Sequence, residues 1–320
     1  MDKSSKYTAL LLVSLTAFLG GGISSLAKIG LREIPPLTFT LLRFLSVGFI
    51  LFPLFLQKEK NQIRLNDLKS LVLISLLATS NVTFFILGVK YTTATAGQMI
   101  YAAVPILAGV FSCLFLKEKL ILRKIVGIMI GFIGVLTIIL LPILSQGSAF
   151  AGNLIGNLLI FIAAASFSLY SVLSKKYQPR YSPLSLTVVF ILTTIFILFF
   201  LAPFELKANP HWWRQISLSG VLGLLYVGLI GTGIYYLLYQ YALKKATPII
   251  ASMTFYLQPI FSFVWAYFLL GERLTLGFIA GAVLAFGGAY LVTSSKKYIY
   301  TAVKAGKPHS APKPVISNKA

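Results

Sequence analysis

Apolar runs of about 20 residues follow one another along nearly the whole chain, separated only by short connections such as Pro35-Pro36, Gln57-Lys58-Glu59-Lys60-Asn61 and Pro179-Arg180-Tyr181-Ser182-Pro183. As a helix, a run of that length matches the hydrocarbon thickness of a bilayer, roughly 30 Å. Within lipid each span must satisfy its own backbone N–H and C=O groups, and a helix does so internally. Ten helices are predicted near 7–27, 36–56, 68–89, 94–116, 122–144, 153–174, 183–203, 216–241, 247–270 and 274–294. The fold class is therefore an all-α integral membrane protein, with the lipid bilayer as its first partner. The connections leave no room for a soluble domain. A composition of 58% apolar and 11% charged residues excludes a soluble enzyme, a nucleic-acid binder and a secreted disulfide scaffold. The single cysteine, Cys113, lies in an apolar run, and His211 and His309 lie outside the runs, so no disulfide, metal site or cofactor is expected.

The 28 Lys and Arg against 7 Asp and Glu make sense once they are sorted by connection. With the N-terminus in the cytoplasm, only Lys28, Arg32, Lys90, Lys207, Arg214 and Arg273 fall outside, and Arg43 falls within a span. The other 21 of the 28 are inside. This positive-inside asymmetry predicts a multi-pass protein of the cell (inner) membrane with both termini cytoplasmic. Lys3 and Lys6 before an apolar stretch resemble a signal peptide, but no clear A-x-A site follows, so an uncleaved first span is expected. Residues 296–320, with lysines among Pro, Ser and Ala, read as a disordered basic cytoplasmic tail.

Self-similarity at an offset of 154 residues is the most informative pattern. Residues 90–137 match 244–291 at 14 of 48 positions without a gap, including Pro105 with Pro259, Glu118 with Glu272, Gly127 with Gly281 and Gly134 with Gly288. At a shorter offset, Ile34-Pro35-Pro36-Leu37 resembles Tyr181-Ser182-Pro183-Leu184. Five spans per repeat is an odd number, so the second copy enters the membrane upside down. Inverted repeats of this kind give transporters two oppositely facing states. The expected units are 1–145 (spans 1–5), 146–295 (spans 6–10) and the tail.

The Pro36-to-Arg43 stretch (Pro-Leu-Thr-Phe-Thr-Leu-Leu-Arg), the blocks 105–118 and 259–272 and the Gly-rich helices after each resemble the EamA type of the drug/metabolite transporter superfamily, over about residues 7–295. The resemblance implies a ten-helix permease built from two EamA repeats around a central cavity, often an exporter of amino acids or related compounds. No Arg stands opposite Arg43 in the second repeat, so the halves are not equivalent.

Arg43 lies seven residues past Pro36, about 10 Å along the helix. A charge at that depth costs at least about 2.5 kcal/mol, so it should face water or a partner. It reads either as the anchor for a substrate carboxylate or phosphate or as a structural Arg bonded to carbonyls. Pro105 and Pro259, mid-span, each remove the bond to the carbonyl four residues earlier. Paired interruptions of this kind point to cavity-lining or gating helices, with packing kinks as the alternative. Around them Gln98, Tyr101, Ser252, Tyr256 and Gln258, with Asn81, Tyr235 and Tyr239 on the preceding helices, offer hydrogen bonds and amphipathic rings to a small-molecule substrate. Glu118 and Glu272 read as surface ion pairs or turn stabilisers. No carboxylate is expected inside a span, which argues for uniport or exchange over a carboxylate proton relay. Gly127 and Gly131, like Gly281 and Ala285, suit close packing inside the bundle, with a homodimer face as the alternative.

These features predict a secondary transporter that moves small zwitterionic or anionic metabolites, amino acids among them, by alternating access, in the direction of export. A multidrug or organic-cation exporter of the same fold is the runner-up, and a non-transporting receptor or scaffold the alternative from another class. Paired acids, deep histidines and a Ser with a basic partner are all missing from the spans, so no enzymatic activity is expected. The G-x-x-x-x-G-K-[ST] motif is missing too, so ATP hydrolysis by this chain is not expected.

Overall fold

The computed structural model describes residues 3–59, 63–91, 97, 100–145, 154–207, 210–270 and 276–294. Every predicted span has a helical counterpart. The first repeat contributes α1 (Lys3–Leu31), α2 (Pro36–Lys58), α3 (Leu65–Tyr91), α4 (Val104–Leu116) and α5 (Leu122–Ser145). The second contributes α6 (Leu154–Lys175), α7 (Pro183–Leu206), a span-8 stack of α8 (Leu218–Leu225), a π-helical stretch (Tyr226–Ile234) and α9 (Tyr235–Lys245), a span-9 pair of α10 (Pro248–Ser252) and α11 (Thr254–Leu270), and α12 (Leu276–Ser294). Among the described residues, α2, α3, α6, α7, residues 7–31 of α1 and the span-8 stack are long and apolar enough to cross a membrane.

Local chemistry sets the helix starts. Pro36, Pro183 and Pro248 each occupy a first helical position, where the missing N–H would have had no partner anyway. Ser182, Ser217 and Thr247 cap α7, α8 and α10, their hydroxyls accepting from the N–H groups of Ser185, Gly220 and Ile250. Lys117 ends α4 in the left-handed region at φ 54°.

Packing follows the inverted repeat. α5 lies along α12 and α2 along α7. α3 on α6 is mirrored by the span-8 stack on α1, and α4 on α6 by α11 on α1. Each pairing therefore returns its counterpart when the repeats are exchanged, as an approximate two-fold between them requires. The α5–α12 crossing uses the predicted small residues from both sides. A Cβ on Gly127 would stand 2.8 Å from Val292 and 3.0 Å from the Gly288 carbonyl, and one on Gly134 would stand 2.7 Å from the Gly281 carbonyl. This stripe is thus covered within the bundle and leaves no open dimer face at these glycines.

Several expectations need correcting. Span 8 is not one α-helix: Gly228 and Gly233 seat their backbones against the Arg43 main chain and Val47, and the chain winds wider there, with Thr232 Oγ1 donating to the carbonyl of Val227, five residues back. In span 9 the interruption falls at Met253, which separates α10 from α11, and Pro259 lies inside α11. In span 4 a turn at Ala102–Ala103 directly precedes α4, and Pro105 is that helix's second residue. Glu205 sits in the last turn of α7 rather than in a loop, and Asp67 in the first turn of α3, because both helices overshoot their apolar cores. Glu118 does not pair at the surface: it and Lys124 form a buried pair at 2.5 Å, with side chains 6% and 5% exposed. Glu272, residues 146–153 and the 296–320 tail lie outside the described residues.

Both ends of the bundle are stitched by carboxylates in matching positions. At one end Glu205 on α7 accepts from the N–H groups of Leu37 and Thr38 at the start of α2, at 2.9 and 3.0 Å. At the other end Glu59, just past α2, accepts from Ser182 and Ser185 at the start of α7. Likewise Glu33, after α1, accepts from the N–H and hydroxyl of Ser217 ahead of α8, and Asp67 on α3 accepts from Tyr181, after α6, at 2.7 Å.

Candidate functional site

The buried face of α2 runs Thr40, Arg43, Phe44, Val47 and Leu51, a spacing of three and four residues that turns Arg43 into the bundle. Its side chain is 5% exposed, and its guanidinium lies over the Phe44 ring at 5.3 Å. Its Nε is buried without a hydrogen-bond partner. The structural reading of Arg43, bonded to carbonyls or hydroxyls, thus has no bond at this nitrogen to support it.

Asn81 on α3 ties three further spans together. Its Nδ2 donates to the Tyr101 hydroxyl at 2.6 Å and to the Ala163 carbonyl of α6 at 2.9 Å, and its Oδ1 accepts from the Tyr236 hydroxyl at 3.4 Å. The amide fixes both phenols, and their rings extend into an aromatic wall. Tyr101 packs edge-on against Phe85 at 5.2 Å and beside Phe255 at 5.6 Å. Phe167 meets Phe255 at 5.2 Å and Tyr236 at 6.3 Å, and Tyr235 meets Tyr236 at 5.4 Å. Gln258 on α11 donates from Nε2 to the Gly20 carbonyl at 3.1 Å, while its Oε1 is buried and unpartnered.

These groups line one cavity, with about 820 Å³ of space between atoms when the open solvent beside it is included. Arg43, Asn81, Tyr101, Tyr235 and Gln258 are all on its wall, together with Lys28, Gly231 and Tyr236. Lys28 and Val89 also line a second pocket, the vestibule, which lies between Arg32, Glu33, Lys90 and Glu205. The opposite end is filled with polar contacts. Gln240 bonds Tyr170 and Gln178, Lys175 Nζ donates to the Leu243 carbonyl at 2.5 Å, and Tyr177 packs on Tyr181 at 6.4 Å. Among the described residues, the second pocket adjoins the cavity at the Lys28 end, and the contacts above fill the Tyr181 end.

Three predicted positions are not on this wall. Tyr239 is fully buried and bonded to Ser171 at 2.9 Å. Ser252 bonds the Ile249 carbonyl of its own turn at 2.8 Å. Tyr256 is buried with its ring against Gly131. Gln98 lies outside the described residues. Among the described residues no group of three or more His, Cys, Asp or Glu could hold a metal ion.

Two titratable groups outside the spans are shifted. The backbone N–H and then the hydroxyl of Ser217 hold the Glu33 carboxyl below the usual carboxylate range. Burial, and then its bond to Asp67, push the Tyr181 phenol up.

The EamA-like transporter family model matches residues 7–140 and again 154–294. The chain belongs to the EamA-like transporter family. This EamA-like transporter is 28% identical over 294 residues to an uncharacterized transporter of Archaeoglobus fulgidus, covering 89% of this chain and 97% of that one. It is 27% identical over 269 residues to the uncharacterized transporter YoaV of Bacillus subtilis, covering 83% and 90%. To YvbV of the same organism, also an uncharacterized transporter, it is 29% identical over 306 residues, covering 93% and 95%. A protein solved by crystallography shares the fold, with a TM-score of 0.70 at 19% identity over 92% of this chain and 99% of that one.

Some wall residues of the EamA-like protein are invisible to a search for deep polar groups. Lys28 reads in sequence as an ordinary outside-facing lysine, and Phe85, Phe167 and Phe255 as membrane apolars. The one local signal is the Gly228-x-x-Gly231-x-Gly233 spacing, which marks the wide turn just before Tyr235 and Tyr236, both on the cavity wall.

Proposed function

We propose that this membrane transporter is a secondary carrier for small metabolites bearing a carboxylate or a similar anionic group, working by alternating access in the direction of export. The observation that carries this reading is Arg43: a buried guanidinium whose Nε lacks a partner, on a cavity wall with no Asp or Glu among its described lining residues. An ion buried without a counter-ion is costly unless a ligand or water supplies one. The surrounding rings and the Asn81 amide suit the body of a small amphipathic solute. In this reading the units 1–145 and 146–295 rock about the cavity, the Lys28 end faces outward, and both termini and the tail lie in the cytoplasm of an inner-membrane protein.

Counterflow in proteoliposomes holding the purified protein tests it. Pooled labelled amino acids and other carboxylates, nucleobases, sugars and organic cations are offered to the native chain and to Arg43→Ala. Uptake of a carboxylate that Arg43→Ala abolishes, in protein that keeps its melting profile, supports the reading. Uptake confined to organic cations overturns it in favour of a drug exporter. Coupling is proposed to be uniport or exchange, and uphill transport driven by an imposed pH gradient would contradict that.

A further inference from the structure

The charge on the cavity wall narrows the class of solute. Lys28 lines both the deep cavity and the outer vestibule. It lies three residues before the end of α1, and Arg43 lies seven residues into α2, which starts at the same end of the bundle. At 1.5 Å per residue these depths are about 4.5 and about 10 Å, so the two cations form successive levels along one path. Arg32 and Lys90 join Lys28 at the vestibule. The two carboxylates there are already engaged. Glu205 accepts from the N–H groups of Leu37 and Thr38, and Glu33 from Ser217; both keep their charge, so the vestibule sets three cations against two carboxylates. Deeper in, no Asp or Glu stands beside Lys28 and Arg43 among the described lining residues. An ammonium group arriving with the solute would meet two like charges, with only neutral groups to receive it: ring faces, phenol and amide oxygens, and the unpartnered Gln258 Oε1.

Resting on the reading of a carboxylate carrier, we infer that the solute is a net organic anion on an apolar or aromatic body, neither a zwitterion nor a cation, and that Lys28 captures it on the way to Arg43. Lys28 is then a specificity-determining residue. It acts on the approach of the solute, through a field that ionic strength screens. Arg43 receives the anionic group at the end of the path, where a planar guanidinium suits bidentate contact.

The test uses one apolar body in three charge forms: 3-phenylpropionate, phenylalanine and phenethylamine. Binding to the full-length protein in detergent micelles and counterflow in proteoliposomes are both measured. Folding of every variant is checked by its size-exclusion profile and melting temperature. Phenylpropionate is expected to bind at least about tenfold more tightly than phenylalanine, with phenethylamine weakest. Lys28→Gln should raise KM about tenfold with little change in kcat and flatten the fall of kcat/KM with salt, and Lys28→Arg should restore both.

Arg43-dependent transport of phenylalanine in preference to phenylpropionate would overturn this inference while leaving the carboxylate carrier standing. Preference for phenethylamine, or binding of none of the three by folded protein, would overturn it along with that reading. A Lys28→Gln protein with unchanged KM and salt dependence would remove the capture role.

Discussion

Asn81 shows how one side chain can organise a site. Its amide is the shared partner of two phenols on different spans and of a carbonyl on a third. Replacing it with Leu leaves these groups unpaired in an apolar setting, where interhelical hydrogen bonds are worth about 1–2 kcal/mol at most. Asn81→Leu is expected to lose about that much stability in a denaturant titration in mixed micelles, and to weaken solute binding beyond the stability loss because Tyr101 and Tyr236 lose their orientation. Glu33 predicts a pH dependence. Its folded-state pKa is lowered by Ser217, so its contribution is present above the unfolded value near 4.3 and is lost as pH falls through the folded value. A melting temperature followed down through this acid range should fall more steeply for the native chain than for Glu33→Gln, which lacks the titrating group. Identical acid limbs would show that the contact does not contribute.

Among the elements, the α5–α12 crossing depends on residues without side chains. Gly127 and Gly134 leave no room for a Cβ against Val292 and the Gly281 and Gly288 backbone, so Gly127→Val must push the helices apart. The expected cost is that of overpacking, about 1–3 kcal/mol, read as a lowered melting temperature with the same helix content by circular dichroism. The closed end of the cavity rests on short polar contacts between elements, chiefly Glu59 with Ser182 and Ser185, and Asp67 with Tyr181. The double variant Glu59→Gln, Asp67→Asn is expected to loosen that end alone. In a Cys113→Ser background, a cysteine placed by Gln240→Cys should then react faster with a membrane-impermeant maleimide added from the Tyr181 side. An unchanged rate would show that these two carboxylates do not hold that end shut.

The whole molecule is two five-span units whose contacts repeat when the units are exchanged, with a positively charged path that does not repeat because Arg43 has no counterpart. Architecture can therefore be symmetric while chemistry is not. A structural skeleton shared by the halves suits rocking, and in the proposed reading the guanidinium of Arg43 receives the anionic group. The lysine asymmetry predicts the placement of the ends: a reporter active only in the cytoplasm, fused after Ala320 or before Met1, should be active in both cases, and activity at only one would require an odd number of crossings.

The spans, their number, the inverted repeat and the depth of Arg43 were legible along the chain, because lipid imposes a length on each apolar run and a charge within such a run stands out against it. The direction each side chain faces was not. In a soluble helix the apolar stripe marks the core, but here lipid and core are both apolar, so Phe167 and Phe85 on the cavity wall look like Phe196 and Phe199 on the lipid face. For the same reason Tyr235 and Tyr239, one turn apart, could not be told apart as wall and packing residues. The π-helical turn, the use of Glu205 as a cap for a helix 167 residues away, and the place of Lys28 on the walls of two cavities were decided by contacts between distant segments. Hydropathy is a local property of the chain, whereas the facing of a helix and the partner of a charge exist only once the other helices are in place.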